Sequence, residues 1–240
     1  MLIALALAPV VAILFFVYLK DKYDKEPVKH LIISFLLGCL SVIPALILEY
    51  SLGSIFPENS LNVMVTAIWA FAIVAGSEEL SKFIMLRIYA FRQKEFDEPF
   101  DGIVYGVVVS LGFAAVENIF YVMGGGVSVG LLRMFTAVPA HASFGVIMGY
   151  YFGLAWQHPE SAWKYKLRGL IAAIALHGAY DFFLMQNNIP AFALFSFLGL
   201  FISIRVALKA IKKHQEASPF HPDVLAQKAE EEEQFNNEGH

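Results

Sequence analysis

Residues Leu61–Tyr89 read LNVMVTAIWAFAIVAGSEELSKFIMLRIY, and the eight residues Gly76-Ser77-Glu78-Glu79-Leu80-Ser81-Lys82-Phe83 inside that run decide how the chain is read. The run is long and apolar enough to cross a bilayer, yet it carries two adjacent carboxylates and an ammonium. At the centre of a membrane helix each such charge costs roughly 2.5–3.5 kcal/mol on insertion scales. Three within five positions need partners, and those partners have to come from other parts of the chain.

The composition supports the membrane reading. Of 240 residues 58% are hydrophobic and 16% charged, and the mean hydropathy is +0.61. Apolar residues fall in long blocks, which excludes an ordinary soluble domain. Seven segments are long enough to span: Met1–Leu19, Leu31–Tyr50, Leu61–Ala90, Gly102–Met123, Gly130–Trp156, Leu170–Met185 and Ala191–Leu208. The fold class is therefore all-α, a polytopic transmembrane helical bundle over 1–208, followed by a polar tail, 209–240, that ends in acidic residues and is expected to be solvated and partly disordered. Met1–Leu19 has no basic residue before it and no small-residue cleavage site after it, so it reads as a retained helix. The single cysteine, Cys39, excludes an intramolecular disulfide and reads as a small packing residue.

Basic residues set the orientation. Of the 17 Lys and Arg, all but Lys82 and Arg133 lie in, or in the turns leading into, the connections after segments one, three and five and the C-terminal stretch. The remaining connections hold none. The N-terminus is outside and the C-terminus cytoplasmic. The outer connections are rich in helix breakers: Pro57 in the first, the triple glycine Gly124–Gly126 in the second, and Pro190 ending the third.

The ionisable residues inside the spans are Glu78, Glu79, Lys82, Glu117, Arg133, His141, His177 and Asp181. Glu78 and Lys82 are i, i+4 and share a helix face; His177 and Asp181 repeat that spacing. Phe113, Glu117 and Tyr121 form one stripe with Asn118 beside it, and Arg133, Ala137 and His141 form another. Glu49 and Asp101 lie near segment ends, where interfacial placement accounts for them. Counted from the nearest inner basic or boundary residue, Glu78 and His177 lie ~14 Å deep, and Glu117 and His141 ~24 Å. On upright helices that ~10 Å offset keeps the two pairs apart. Gly102, Gly106 and Ser110 form an i, i+4 row of small residues, as do His141, Gly145 and Gly149, and such rows let helices approach closely in lipid.

Eight ionisable residues on four spans exceed what packing requires. Carboxylates and imidazoles in a desolvated cavity suit abstraction of a proton from water. No serine or cysteine nucleophile pattern and no HExxH are present. A proton or ion path would use the same residue types, as would a non-catalytic scaffold. A transporter would often show related halves, which this chain lacks.

The motifs resemble those of the PrsW family of intramembrane proteases, within the wider group of CAAX-type prenyl proteases and bacteriocin-processing enzymes. The EExxK motif reads Glu78-Glu79-Leu80-Ser81-Lys82, FxxxE with a following Asn reads Phe113 to Glu117-Asn118, the lone histidine is His141, and HxxxD reads His177 to Asp181. The resemblance implies a multi-pass peptidase of the bacterial inner membrane that acts on a membrane-anchored, single-pass protein. An anti-sigma factor cut first on its outer side is the family's substrate type. It implies Glu78 as base, helped by His141 or Glu117, His177 stabilising the oxyanion with Asp181 beside it, and Lys82 holding Glu78 and Glu79. The prenyl proteases carry His where this chain has Glu117. The cofactor stays open between no metal and a divalent ion such as zinc on Glu78, Glu117, His141 and His177. The expected partners are the substrate and the lipid bilayer, with no nucleic acid.

Overall fold

A computed structural model of the protein describes residues 1–56, 62–186 and 190–238. Pro57, residues 187–189 of the third outer connection and residues 239–240 of the tail lie outside the described residues. The described chain is helical: α1 (Leu2–Lys20), α2 (Val28–Leu40), α3 (Val42–Ile55), α4 (Val63–Ala67), a π-helical stretch (Ile68–Val74), α5 (Ala75–Ile88), α6 (Pro99–Phe135), α7 (Ala137–Gln157), α8 (Ala162–Leu184), α9 (Ala193–Glu216) and α10 (Pro222–Glu238).

These helices make seven crossings, as the sequence indicates. α2 and α3 are one crossing bent at Ser41, where Pro44 in the next turn leaves the Leu40 carbonyl without its helical donor. α4, the π stretch and α5 form the third crossing. The 59 residues Pro99–Gln157 hold two, because the backbone leaves helical geometry at Gly126 (φ 73°, ψ −161°). Only glycine takes that conformation cheaply. The chain reverses there, and Arg133 returns alongside Asn118.

α6 and α7 form the centre of the bundle. Their two rows of small residues interlock: a methyl group added at Gly106 would lie 2.5 Å from the Gly145 carbonyl oxygen, and the Ser110 hydroxyl donates to the His141 carbonyl at 2.7 Å. With no hydrophobic force between helices in lipid, this backbone contact is what holds such a pair together. Outside it, side chains such as Phe15, Ile43, Leu131 and Phe201 face outward, where lipid covers them.

The cytoplasmic end is tied shut by polar groups from distant parts of the chain. Tyr105 donates to Glu26, the Ser218 hydroxyl to Glu98, His214 Nδ1 to the Pro99 carbonyl at 2.7 Å, and Gln215 to the Lys20 carbonyl. The Glu26 amide donates to Asp21 at 3.1 Å. Asp101 caps α6 by accepting from the Glu98 amide at 2.8 Å. Burial pushes the carboxyls of Glu26 and Glu98 up to about 7 and that of Asp21 to about 6.

Two outcomes follow. Gly106→Ala, blocked by backbone rather than a movable side chain, is expected to lower stability by about 2 kcal/mol or more. The melting temperature in detergent checks it. Carboxyls raised on folding bind protons in the folded state, so their stabilisation is present below the ordinary carboxyl range and is lost as pH rises through about 6–7. Glu26→Gln should therefore flatten the fall in melting temperature between pH 5 and pH 8.

Candidate active site

The EExxK segment enters the core just after the π stretch. The wider π turn rotates the following residues relative to α4, and such turns recur at functional sites. Gly178 of α8 lets that helix pack directly on Phe71 of the π stretch, since any side chain there would strike the Phe71 ring. The contact brings the neighbouring His177 against α5.

Lys82 lies at the focus of the site. It is 1% exposed, and its ammonium donates to Glu78 Oε2 at 3.1 Å, to Glu79 Oε1 at 2.8 Å and to His141 Nδ1 at 3.1 Å. All three N–H bonds are thus used, and the Phe113 ring covers the charge at 4.0 Å. An ammonium has no lone pair, so His141 Nδ1 must accept and its proton must sit on Nε2. Nε2–H then donates to Glu117 Oε2 at 2.8 Å.

Glu117 is the second anchor. Its Oε2 also meets the Arg133 guanidinium at 2.9 Å. Arg133 Nε donates to Asn118 Oδ1 at 2.8 Å, and Asn118 Nδ2 to the Ala6 carbonyl at 2.8 Å. Tyr121 lies 3.9 Å beneath Arg133. The stripe Phe113–Glu117–Tyr121 thus places an aromatic ring under each cation with the carboxylate between them. On the other side, His177 Nδ1 faces Glu79 Oε1 at 2.9 Å and Nε2 faces Asp181 Oδ2 at 3.1 Å. Its Nε2 is 4.0 Å from Glu78 Oε2.

All the ionisable residues singled out from the sequence meet in one network, and the expected ~10 Å offset between them is absent. That offset came from taking Arg87 and Arg168 as the membrane boundary. Both lie on the helices themselves, against the rings of Trp163 and Tyr165. Counted from the ends of the crossings at Arg92, Ala162, Pro99 and Gln157, the four residues Glu78, His177, Glu117 and His141 lie ~21, ~22, ~27 and ~24 Å deep. A second difference concerns Arg133 and His141. They do not share one helix, because the chain breaks at Thr136 (φ −122°, ψ −79°). Pro139 in the next turn cannot donate to Phe135.

Glu78, Glu117, His141, His177 and Asp181 line a cavity of about 670 Å³. Its wall reaches the outer ends of α3, α8 and α9 through Glu49, Met185 and Phe197. Glu79 and Lys82 lie behind that wall. Sequence reasoning placed Glu49 at the interface and missed it as a site residue. The available signal was the row Val42, Ala45, Leu46 and Glu49, a single helix face that here lines the cavity.

For a metal the donor chemistry fits. Atoms of Glu78, Glu79, His141 and His177 lie within 4.8 Å of one another, all buried, and their nitrogens and oxygens suit zinc. Among the described residues Glu79 Oε2 is buried without a hydrogen-bond partner, leaving a free donor. Glu79 takes the place in this group that the sequence pattern suggested for Glu117, whose carboxylate is engaged by Arg133. An ion drawing on Glu78, Glu79 and His141 Nδ1 would have to displace the Lys82 ammonium.

Residues 26–207 match the family model described as PrsW family intramembrane metalloprotease. A protein named Protease PrsW from Geobacillus kaustophilus is 36% identical over 219 residues, 91% of this chain and 93% of its own length. The Bacillus subtilis protein of the same name is 40% identical over 185 residues, 76% of this chain and 82% of its own. That of Clostridioides difficile is 33% identical over 201 residues, 77% and 79% of the two chains. No solved structure matches.

Replacing Lys82 tests the network. Lys82→Met leaves buried Glu78 and Glu79 without their cation and should destabilise the protein by about 3–5 kcal/mol. Lys82→Arg should not restore it, because a planar guanidinium cannot aim three N–H bonds at three converging acceptors. Chemical unfolding in lipid nanodiscs measures both.

Proposed function

The chain belongs to the PrsW family of intramembrane metalloproteases, and from that premise we propose that it makes a first cut in a single-pass, membrane-anchored protein of the anti-sigma-factor type, on the outer side of the bacterial cell membrane. It is an intramembrane protease. The observation that carries the finer reading is the cavity. It brings Glu78, His141, His177 and Glu117 from four crossings to one wall that continues to the outer helix ends.

Glu78 is the general base. Of the adjacent pair it alone lines the cavity, while Glu79 Oε1 is engaged by Lys82 and His177. Lys82, satisfied on all sides, fixes Glu78 in place and carries no proton to or from the substrate. Water between Glu78 and the scissile carbonyl loses a proton to Glu78 as its oxygen forms the new C–O bond. His177 is held at Nδ1 by Glu79, and its Nε2–H, which rests on Asp181, shifts from that carboxylate to the developing oxyanion. Glu78 then returns the proton to the leaving amine. His141, with Nδ1 accepting from Lys82 and Nε2–H donating to Glu117, positions the base rather than exchanging protons itself. A divalent ion held by Glu78, Glu79, His141 and His177 would supply Lewis-acid polarisation of the water or the carbonyl.

The test is cleavage of a panel of single-pass reporter proteins by the full-length protein in nanodiscs. Glu78→Gln should lower kcat by at least about 10²-fold. His141→Ala and His177→Ala should lower it as well. Each reaction is repeated with a chelator. Loss on chelation that zinc restores assigns the carboxylates and imidazoles as ligands, and indifference assigns Glu78 as a base acting alone. Cleavage that persists in Glu78→Gln, with or without chelator, overturns the reading.

A further inference from the structure

Glu49 is the one acid of the cavity wall that the catalytic network leaves unused. It lies on α3, which packs against α5, and shares its helix face with Val42, Ala45 and Leu46. The other cavity carboxylates are engaged: Glu78 by Lys82, Glu117 by Arg133 and His141, and Asp181 by His177. Among the described residues Glu49 makes no hydrogen bond and no ion pair. A carboxylate on a membrane-spanning helix facing a cavity rather than a partner marks a functional position.

The charge of the whole site points the same way. Five carboxylates (Glu49, Glu78, Glu79, Glu117 and Asp181) stand against two permanent cations, Lys82 and Arg133. Both cations are consumed by acids of the network and capped by Phe113 and Tyr121, so neither turns toward Glu49. The remaining wall at the cavity's outer end is apolar, with Leu46, Leu132, Leu184, Met185 and Phe197. That surface accepts a peptide segment of apolar side chains and leaves one place for a positive charge.

We propose that Glu49 is a specificity-determining residue that receives a lysine or arginine side chain of the substrate, close to the scissile bond and flanked by apolar residues. The inference rests on the peptidase reading above and adds its substrate class. An anion at this position attracts the segment from the outer surface and fixes which peptide bond lies over Glu78. Close charge pairs of this kind set register and partner choice as well as affinity.

The experiment uses single-pass reporters whose outer juxtamembrane segment is randomised, cleaved by the full-length protein in nanodiscs, with the cut sites read by mass spectrometry. Wild type should show Lys or Arg enriched at one fixed distance from the cut. For a matched pair of reporters with Lys or Gln at that position, the Lys preference in kcat/KM should be at least about tenfold, the low end for close charge pairs. Glu49→Gln should remove that preference, mainly through a higher KM for the Lys reporter, while Glu49→Asp keeps it. Cleavage without enrichment, or enrichment that survives Glu49→Gln, overturns the role of Glu49 and leaves the peptidase reading standing. Absence of any cut by wild type overturns the peptidase reading and this inference with it.

Discussion

The buried ammonium of Lys82 is the constraint on which the rest of the structure depends. A fully buried charge without partners is untenable in lipid, and a buried pair is sustained only when every hydrogen bond is made. Lys82 meets that condition with two acceptors from its own helix and a third, His141 Nδ1, from α7. α5 and α7 are therefore locked in depth and rotation. α7 reaches that position because its glycines let it lie against the α6 backbone. The small-residue rows and the charged motifs serve one geometric requirement, close approach of helices whose polar groups must meet.

From Lys82 the interactions run in both directions. One branch passes through Glu79 to His177 and Asp181, tying α5 to α8. The other passes through His141 to Glu117, Arg133, Asn118 and the Ala6 carbonyl, tying α7 to α6 and α1. Every member is held by its neighbours, so removing one leaves the next buried and unpaired. Such a network orients its acids without reorganisation, which is what electrostatic catalysis asks of a site.

Much of this was legible in the sequence, for physical reasons that differ by residue. Spans and orientation follow from apolar run length and the placement of Lys and Arg. Helical periodicity alone pairs Glu78 with Lys82 and His177 with Asp181. The resemblance ordered the motifs along the chain. What the sequence did not disclose depends on contacts between distant segments. The ~10 Å offset assigned to the four site residues failed because Arg87 and Arg168 lie inside their helices, against the rings of Trp163 and Tyr165, instead of marking the boundary. The π stretch before Ala75 has no periodic signature, and Glu49 looked interfacial because its depth depends on a cavity that α3 lines together with α8 and α9. The Tyr105–Glu26 contact joins a loop to a helix 79 positions away, beyond any local pattern.

The two ends of the bundle are built in opposite ways, and this bears on how a substrate arrives. At the cytoplasmic end, side chains from the α1–α2 connection, the start of α6 and the end of α9 bond to one another and close the bundle. At the outer end, α6 reverses at Gly126 and the short return to Arg133 leaves the cavity walled by the ends of α3, α8 and α9. On the proposed function, a peptide bond of an anchored protein would meet Glu78 from the outer half of the bilayer, with the anchor itself remaining in lipid. On the same reading water would reach Glu78 by that route, because polar contacts close the inner end. A closed inner end and a cavity that reaches the outer helix ends suit hydrolysis of a bond presented from outside.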